Sequence, residues 1–331
     1  MICEWYFGEK WNKKLLSNKG QSLIVCDSND VNTQLIVNGI NSILDNYNKT
    51  LSLKSPSYIR QGDSDKVDNL IQEMNAGQIG ALITYNVNPS YNLYNAKEFD
   101  RGLSKVDVKI STASYNDETA SLMEYVCPNH HNLESWGDCH PSHNTYTLMQ
   151  PTIAPLFNTR QFEETLLRWM NKENYHRYLS DFWKEKGVNW EQAVHDGFFV
   201  MKDKDPKLKS TPTALDPKLL SFDLISGIEI AIYEKIGIGD GTQANNPWLQ
   251  EFPDPITRAC WDNYVTISPA TAKELGLKNW NVSNGALNGS LVNITGGGKT
   301  LKNVPVLINP GQAQSTVGMA LGYGRTKAGK A

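Results

Sequence analysis

Nowhere in the 331 residues is there a run of the roughly 20 apolar residues that a membrane-spanning helix needs. The opening MICEWYFGEKWNKK has neither a hydrophobic signal core nor a cleavage site. A surplus of positive charge is also missing: Lys+Arg 32 against Asp+Glu 35 leaves a formal net charge of -3. That balance argues against nucleic acid as a partner and supports no membrane-surface patch. Cysteine is sparse. Cys3, Cys26, Cys127, Cys139 and Cys260 are odd in number, scattered and without a CxxC pair, which argues against a disulfide framework or an iron-sulfur cluster. What is present is ordinary globular material, 40% hydrophobic and 10% aromatic, enough for a sizeable core and, by length, two domains. Trp5, Tyr6, Phe7 and Trp11 precede the first expected strand, so residues 1–20 read as an incomplete lead-in.

Residues 22–26 (SLIVC) form a short apolar run expected as a strand, and Val31, Leu35, Ile36 and Ile40 fall near helical spacing after it. Val67, Leu70, Ile71 and Met74 define a second helix, with Asp63 or Ser64 as N-cap and Gly77 as its stop. Residues 81–85 (ALITY) and 108–112 read as strands, with a helix over 96–105 between them. Strands alternating with amphipathic helices imply a parallel sheet with ligands beyond the strand C-termini, where the NVNP and NDET segments lie. The expected sheet places strands 22–26, 81–85 and 108–112 side by side. Residues 128–155, rich in His, Asn, Pro and Ser, read as one long loop. Helices are expected over 161–170, burying Phe162, Leu166 and Trp169, and over 175–186, aligning Tyr175, Leu179, Phe182 and Trp183. The charged KDKDPKLK at 202–209 is expected to be a solvated loop. Ile228, Ile230 and Ile232 alternate as in a half-buried strand. Short strands at 264–267, 290–294 and 304–308, with a brief helix over 270–275, point to a small closed barrel.

In order and wording these segments resemble the molybdopterin oxidoreductase superfamily of the dimethylsulfoxide-reductase type. Asn86-Val87-Asn88-Pro89 is similar to its Gly-x-Asn-Pro loop, and Asp117-Glu118-Thr119-Ala120 to its Glu-Thr-Ala segment. Residues 123–128 (MEYVCP) stand where the family has Ala-Asp-Val-Val-Leu-Pro, and residues 131–138 (HNLESWGD) where it has Leu-Glu-x-x-Gly. Residues 263–276 and 309–325 resemble its C-terminal dinucleotide-binding barrel. Residues 130–138, 150–160 and 244–255 are similar to one branch, the molybdopterin-like large iron-sulfur subunit of alternative complex III, a quinol to cytochrome c oxidoreductase.

The resemblance implies an α/β chain: a Rossmann-like parallel sheet with flanking helices over 21–261, then a truncated double-psi-type β-barrel over 262–331. It implies cofactor-binding positions at Asn88, Pro89, Glu118, Thr119, Gly322, Tyr323, Gly324 and Arg325, and no catalytic residue. The expected role is that of a fragment: a scaffold in a respiratory complex, without molybdenum, docking other subunits and a cluster-bearing iron-sulfur half. By resemblance it is periplasmic and membrane-associated through the parent complex. Alternatively, the intact protein is an active molybdenum enzyme holding molybdopterin guanine dinucleotide, and this chain supplies part of that site. Asn86 stands where the family has Gly, and a side chain at a point of close backbone approach favours the reading without cofactor.

Cys127, His130, Cys139 and His143 are residue types that zinc prefers, and a zinc-stabilised interaction module is a third reading. Neither Cys127-x-x-His130 nor His140-x-x-His143 completes a finger pattern, so a polar loop in which His131, Glu134 and Trp136 bond and pack is the expectation, with Cys127 as a small buried hydrophobe. Gly296 to Gly298 followed by Lys299 lacks the Walker spacing and reads as a β-turn. Trp248, Leu249 and Phe252, amid prolines, either anchor a partner or pin a crossover to the core.

Overall fold

A computed structural model describes residues 12–202 and 227–329. The strands are β1 (Ala81–Thr84), β2 (Val108–Ser111), β3 (Tyr125–Val126), β4 (Gly137–Ser142), β5 (Thr145–Met149), β6 (Phe198–Val200) and β7 (Glu229–Tyr233). They continue with β8 (Val265–Ile267), β9 (Asn279–Asn281), β10 (Leu287–Gly289), β11 (Leu291–Gly296), β12 (Lys299–Ile308) and β13 (Thr316–Ala320). The helices used below are α1 (Val31–Ile43), α2 (Ser64–Asn75), α3 (Pro89–Asn92), α4 (Ala96–Leu103), α5 (Phe162–Trp169), α6 (Tyr175–Glu185), α7 (Trp190–Asp196), α8 (Pro247–Glu251) and α9 (Pro269–Glu274). The chain divides into two compact units: Met1–Asp63 with His130–Leu224, and Ser64–Asn129 with Ile225–Ala331.

In the first unit Asp30 caps α1 by accepting from the Thr33 backbone N–H at 2.7 Å. The strand expected at 22–26 does not form. Ile24 donates its N–H to Asn41 Oδ1 (3.1 Å) and accepts from Asn41 Nδ2 (2.8 Å), so a buried amide on α1 takes the place of a neighbouring strand. Leu23 and Val25 are left exposed. The expected loop at 128–155 instead contains an antiparallel hairpin, β4 and β5, extended by β6. Asn144 makes its turn at φ +65°, a conformation Asn tolerates, and the Cys, His and Pro of β4 hide the alternation. Helices α5 and α6 lie where expected, but α5 buries Leu167 while Leu166 and Trp169 are exposed, and Phe182 on α6 is also exposed. Leu179, Trp183 and Trp190 form the core, with Trp136, Tyr146, Leu148 and Phe199 against it. The 202–209 segment lies almost wholly outside the described residues.

In the second unit β1, β2 and β3 form a parallel sheet in that order, with Ala81 opposite Val108 and Ile110 opposite Tyr125. Two of the three strands expected side by side are therefore present, and the third position belongs to β3. Helices α2 and α4 close over a core of Ile71, Met74, Phe99, Leu103 and Val106. Gly102 permits their approach, since a Cβ there would lie 2.9 Å from Met74 Cβ. The later strands make a curled five-stranded sheet of order β11-β12-β8-β13-β7, around Val265, Ile267, Ala272, Val304 and Val306. It is mixed: β8 pairs parallel with β12 and antiparallel with β13, and β13 pairs parallel with β7. β7 forms as expected, yet Ile228, Ile230 and Ile232 are exposed rather than half-buried, because β7 lies at the end of the sheet order. Gly297 and Gly298, both at positive φ, turn β11 into β12, as the β-turn reading of this glycine run requires.

Candidate functional site at the strand ends

The loops that leave β1 and β2 at their C-terminal ends meet the loop that follows β13, all within the second unit. Asn86 turns the chain at φ +53°, a backbone path that suits Gly and that Asn can also take. Pro89 then opens α3, where a missing N–H costs nothing. Asn88 is the joint between the first two loops. Its Oδ1 accepts from the Thr119 N–H (3.1 Å) and hydroxyl (2.7 Å), and its Nδ2 donates to Glu118 Oε2 at 2.8 Å. Thr119 is fully buried, and its Oγ1 accepts from the Ser90 N–H. Asp117 caps the short turn Ala120–Leu122 by accepting from the Ala120 N–H at 2.7 Å.

Arg325 faces Glu118. Its Nε lies 3.0 and 3.1 Å from the two carboxylate oxygens and Nη2 lies 2.9 Å from Oε2. Nη1 donates to the Gly241 carbonyl at 2.7 Å, Nη2 also donates to the Lys327 carbonyl, and the guanidinium sits 4.9 Å from the Tyr91 ring centroid. Glu118 Oε1 additionally accepts from the Thr326 and Lys327 N–H groups at 2.7 and 3.0 Å. The pair is largely shielded, with side-chain exposures of 9% for Arg325 and 11% for Glu118. Burial raises the Glu118 pKa, but bonds from Arg325, Asn88 and the Lys327 N–H outweigh it and hold the carboxyl far below its ordinary value. Neighbouring Asp117 is shifted upward, first by burial.

Gly322 and Gly324 both take positive φ. A Cβ on Gly322 would meet the Gly239 carbonyl at 2.7 Å, so Gly is required there. The Tyr323 carbonyl accepts from Tyr91 Oη, while its own hydroxyl lies 3.1 Å from Lys235 Nζ. Beside this junction lies a cavity of about 520 Å³ walled by amides and hydroxyls, among them Asn86, Asn92, Ser114, Gln243, Asn245 and Asn246. All eight positions expected at the site thus lie on the three loops that meet here. Tyr91, Gly241 and the amides at 243–246 were not expected; the ANNP run was legible only as the start of the 244–255 segment that resembles the alternative complex III branch.

The cysteine and histidine positions have other roles. Cys127 is exposed rather than buried, because β3 ends the three-stranded sheet and leaves it on an open edge. Cys139 is also exposed, on β4. His130 Nδ1 lies 2.6 Å from Thr159 Oγ1, and buried His143 has Nδ1 3.4 Å from Tyr58 Oη. His131 and Glu134 form a reciprocal cap, and Trp136 stacks on His176 at 4.1 Å. Among the described residues no group of three or more His, Cys, Asp or Glu is placed to hold a metal ion.

No family model matches the chain. It is 28% identical over 260 residues to the menaquinone reductase, molybdopterin-binding-like subunit, of Nitratidesulfovibrio vulgaris (strain Hildenborough), an alignment covering 74% of this chain and 36% of that relative. The chain therefore spans little more than a third of the relative's length. Among solved structures it is similar to acetylene hydratase from Pelobacter acetylenicus, with a TM-score of 0.50 and 16% identity over 77% of this chain and 39% of that one, a likeness of fold. These findings bear out the resemblance at its broadest level: the chain is similar to proteins of the molybdopterin oxidoreductase superfamily.

A pterin dinucleotide carries a pyrophosphate, which needs free N–H donors or an uncommitted cation. Among the described residues Arg325 is the cation lining the cavity, and each of its three nitrogens already donates to a protein oxygen. Its charge is matched by Glu118, and Asp117 and the Asn86 side chain occupy the same wall. The described residues offer the group no uncommitted guanidinium at this point.

Proposed function

We propose that this chain is part of an oxidoreductase-like subunit of a respiratory electron-transfer complex, and that it acts as a scaffold without a bound molybdenum cofactor. One observation carries the reading. At the strand-end site the protein's own Glu118–Arg325 pair joins the loops that a dinucleotide would otherwise bridge and commits the guanidinium its pyrophosphate would need. The name of the relative, a molybdopterin-binding-like subunit of a menaquinone reductase, supports a quinone-linked setting. Within that setting, the motif resemblance favours a quinol to cytochrome c complex, with a periplasmic location through the parent complex, and a double-psi-type barrel as the form of the curled sheet. Among the described residues no helix is long and apolar enough to cross a membrane. Trp248 on α8, 82% exposed, with Phe252 beside it, is the proposed anchor for such a neighbour.

The alternative is a working molybdenum enzyme to whose cofactor site this chain contributes, and the superfamily resemblance keeps it in view. Elemental analysis and pterin fluorescence on the purified chain and on its full-length parent separate the two. The expected result is neither molybdenum nor pterin in either preparation. Molybdenum near stoichiometry in the parent overturns the scaffold reading, and any in this chain overturns the account of the committed guanidinium.

A further inference from the structure

The first unit contains a row of oxidisable rings that the scaffold role does not use. The Tyr58 ring meets His140 edge-on at 4.8 Å between centroids. His140 stacks on Tyr146 at 4.1 Å with the planes 9° apart, and Tyr146 meets Trp183 at 5.0 Å. Phe199 backs both of the last two, at 5.5 and 4.8 Å. Burying Trp and Tyr is common and needs no function. What is unusual is the pair of groups at the ends. Tyr58 Oη lies 3.4 Å from His143 Nδ1, and Trp183 Nε1 donates to Asp138 Oδ2 at 2.9 Å. Oxidation of a phenol or an indole by one electron makes its O–H or N–H strongly acidic, so a proton acceptor in contact favours it at neutral pH. Both terminal rings have one, and the rings between are close enough for electron tunnelling.

We propose that Tyr58, Tyr146 and Trp183, bridged by the His140 imidazole, form a hole-transfer relay that moves an oxidising equivalent from the half-exposed Tyr58 to the buried Trp183. A one-electron oxidant of high potential, such as an oxygen-derived radical, takes an electron from Tyr58 as the phenolic proton passes to His143 Nδ1, in the tautomer that leaves that nitrogen bare. An electron from Trp183 then returns to the Tyr58 oxygen through Tyr146 and His140. The proton on His143 goes back with it, and the Trp183 Nε1 proton moves to Asp138. The net change is one electron transferred to the oxidant, a neutral indolyl radical at Trp183 and a protonated Asp138.

The test compares two equally buried tryptophans, Trp183 at 4% exposure and Trp190 at 6%, of which only Trp183 lies on the relay. The protein is oxidised in air by flash-generated tris(bipyridine)ruthenium(III), and oxygen adducts are mapped residue by residue with peptide mass spectrometry. Several-fold more adduct is expected at Trp183 than at Trp190. Tyr146→Phe, which removes one hydroxyl and keeps the ring stack, should lower the Trp183 yield several-fold and leave Trp190 unchanged, with circular dichroism confirming the fold. Asp138→Asn should prolong the protonated indole radical cation seen by transient absorption. Equal oxidation of the two tryptophans, or a Trp183 yield unaffected by Tyr146→Phe, overturns the relay.

Discussion

Glu118 shows how much of a site one side chain can hold together. Its carboxylate oxygens accept from an amide, a guanidinium and two backbone N–H groups, drawn from two loops far apart in sequence. Replacing it by Gln leaves Arg325 shielded and without a counter-charge, which should destabilise the second unit by about 3 kcal/mol at neutral pH in urea unfolding. The sign of the acid dependence follows from the lowered pKa. The contribution of Glu118 is complete above its ordinary value of 4.5 and is lost as pH falls below it. Glu118→Gln should therefore flatten the acid limb of the stability curve, whereas a limb identical to that of the unaltered chain would show that the ion pair adds nothing. These residues were legible in the sequence because they sit in short motifs at strand ends. Tyr91 and Gly241 were not, because what they contribute is a ring face and a carbonyl, and neither leaves a pattern along the chain.

At the scale of elements, the parallel pair β1 and β2 was readable from apolar runs separated by a periodic helix. The run at 22–26 had the same appearance and became no strand, since its hydrogen-bond partner is the Asn41 side chain, 17 residues away. Asn41→Ala removes that partner and leaves the Ile24 N–H and C=O unsatisfied, at a cost of about 2 kcal/mol. Limited proteolysis should then cut within residues 21–30 sooner than in the unaltered chain. The hairpin β4–β5 was hidden for a different reason: four of the six residues of β4 are Asp, Cys, His or Pro, which mask a period of two. Helix contact in the second unit offers a separate check. Gly102→Ala would push a methyl group against Met74 and should lower stability by about 1–3 kcal/mol, measured by thermal unfolding.

At the scale of the whole chain, a fold similar to that of a molybdenum enzyme goes with an internal ion pair that commits the charge where its loops converge. A site whose guanidinium is already paired should be indifferent to nucleotide. Guanosine monophosphate added in millimolar excess should leave the melting temperature unchanged, and a saturable rise would favour the alternative of a contributing cofactor site. The broad class was legible because ordered motifs carry it, and the curled sheet was partly legible from its short strands. Its strand order was not, because pairing between β7 and β13 depends on residues remote in sequence. That order has a kinetic consequence. Among the described strands β13 comes latest in the sequence, yet it lies between β8 and β7, so Glu229 pairs with Thr316, far along the chain. During vectorial synthesis β7 therefore leaves the ribosome before the strand it pairs with in the described sheet, and it joins that sheet only once β13 has been made. In pulse-labelled hydrogen exchange during refolding, the amides of residues 229–233 should gain protection together with those of 316–320 and after those shared by β11 and β12.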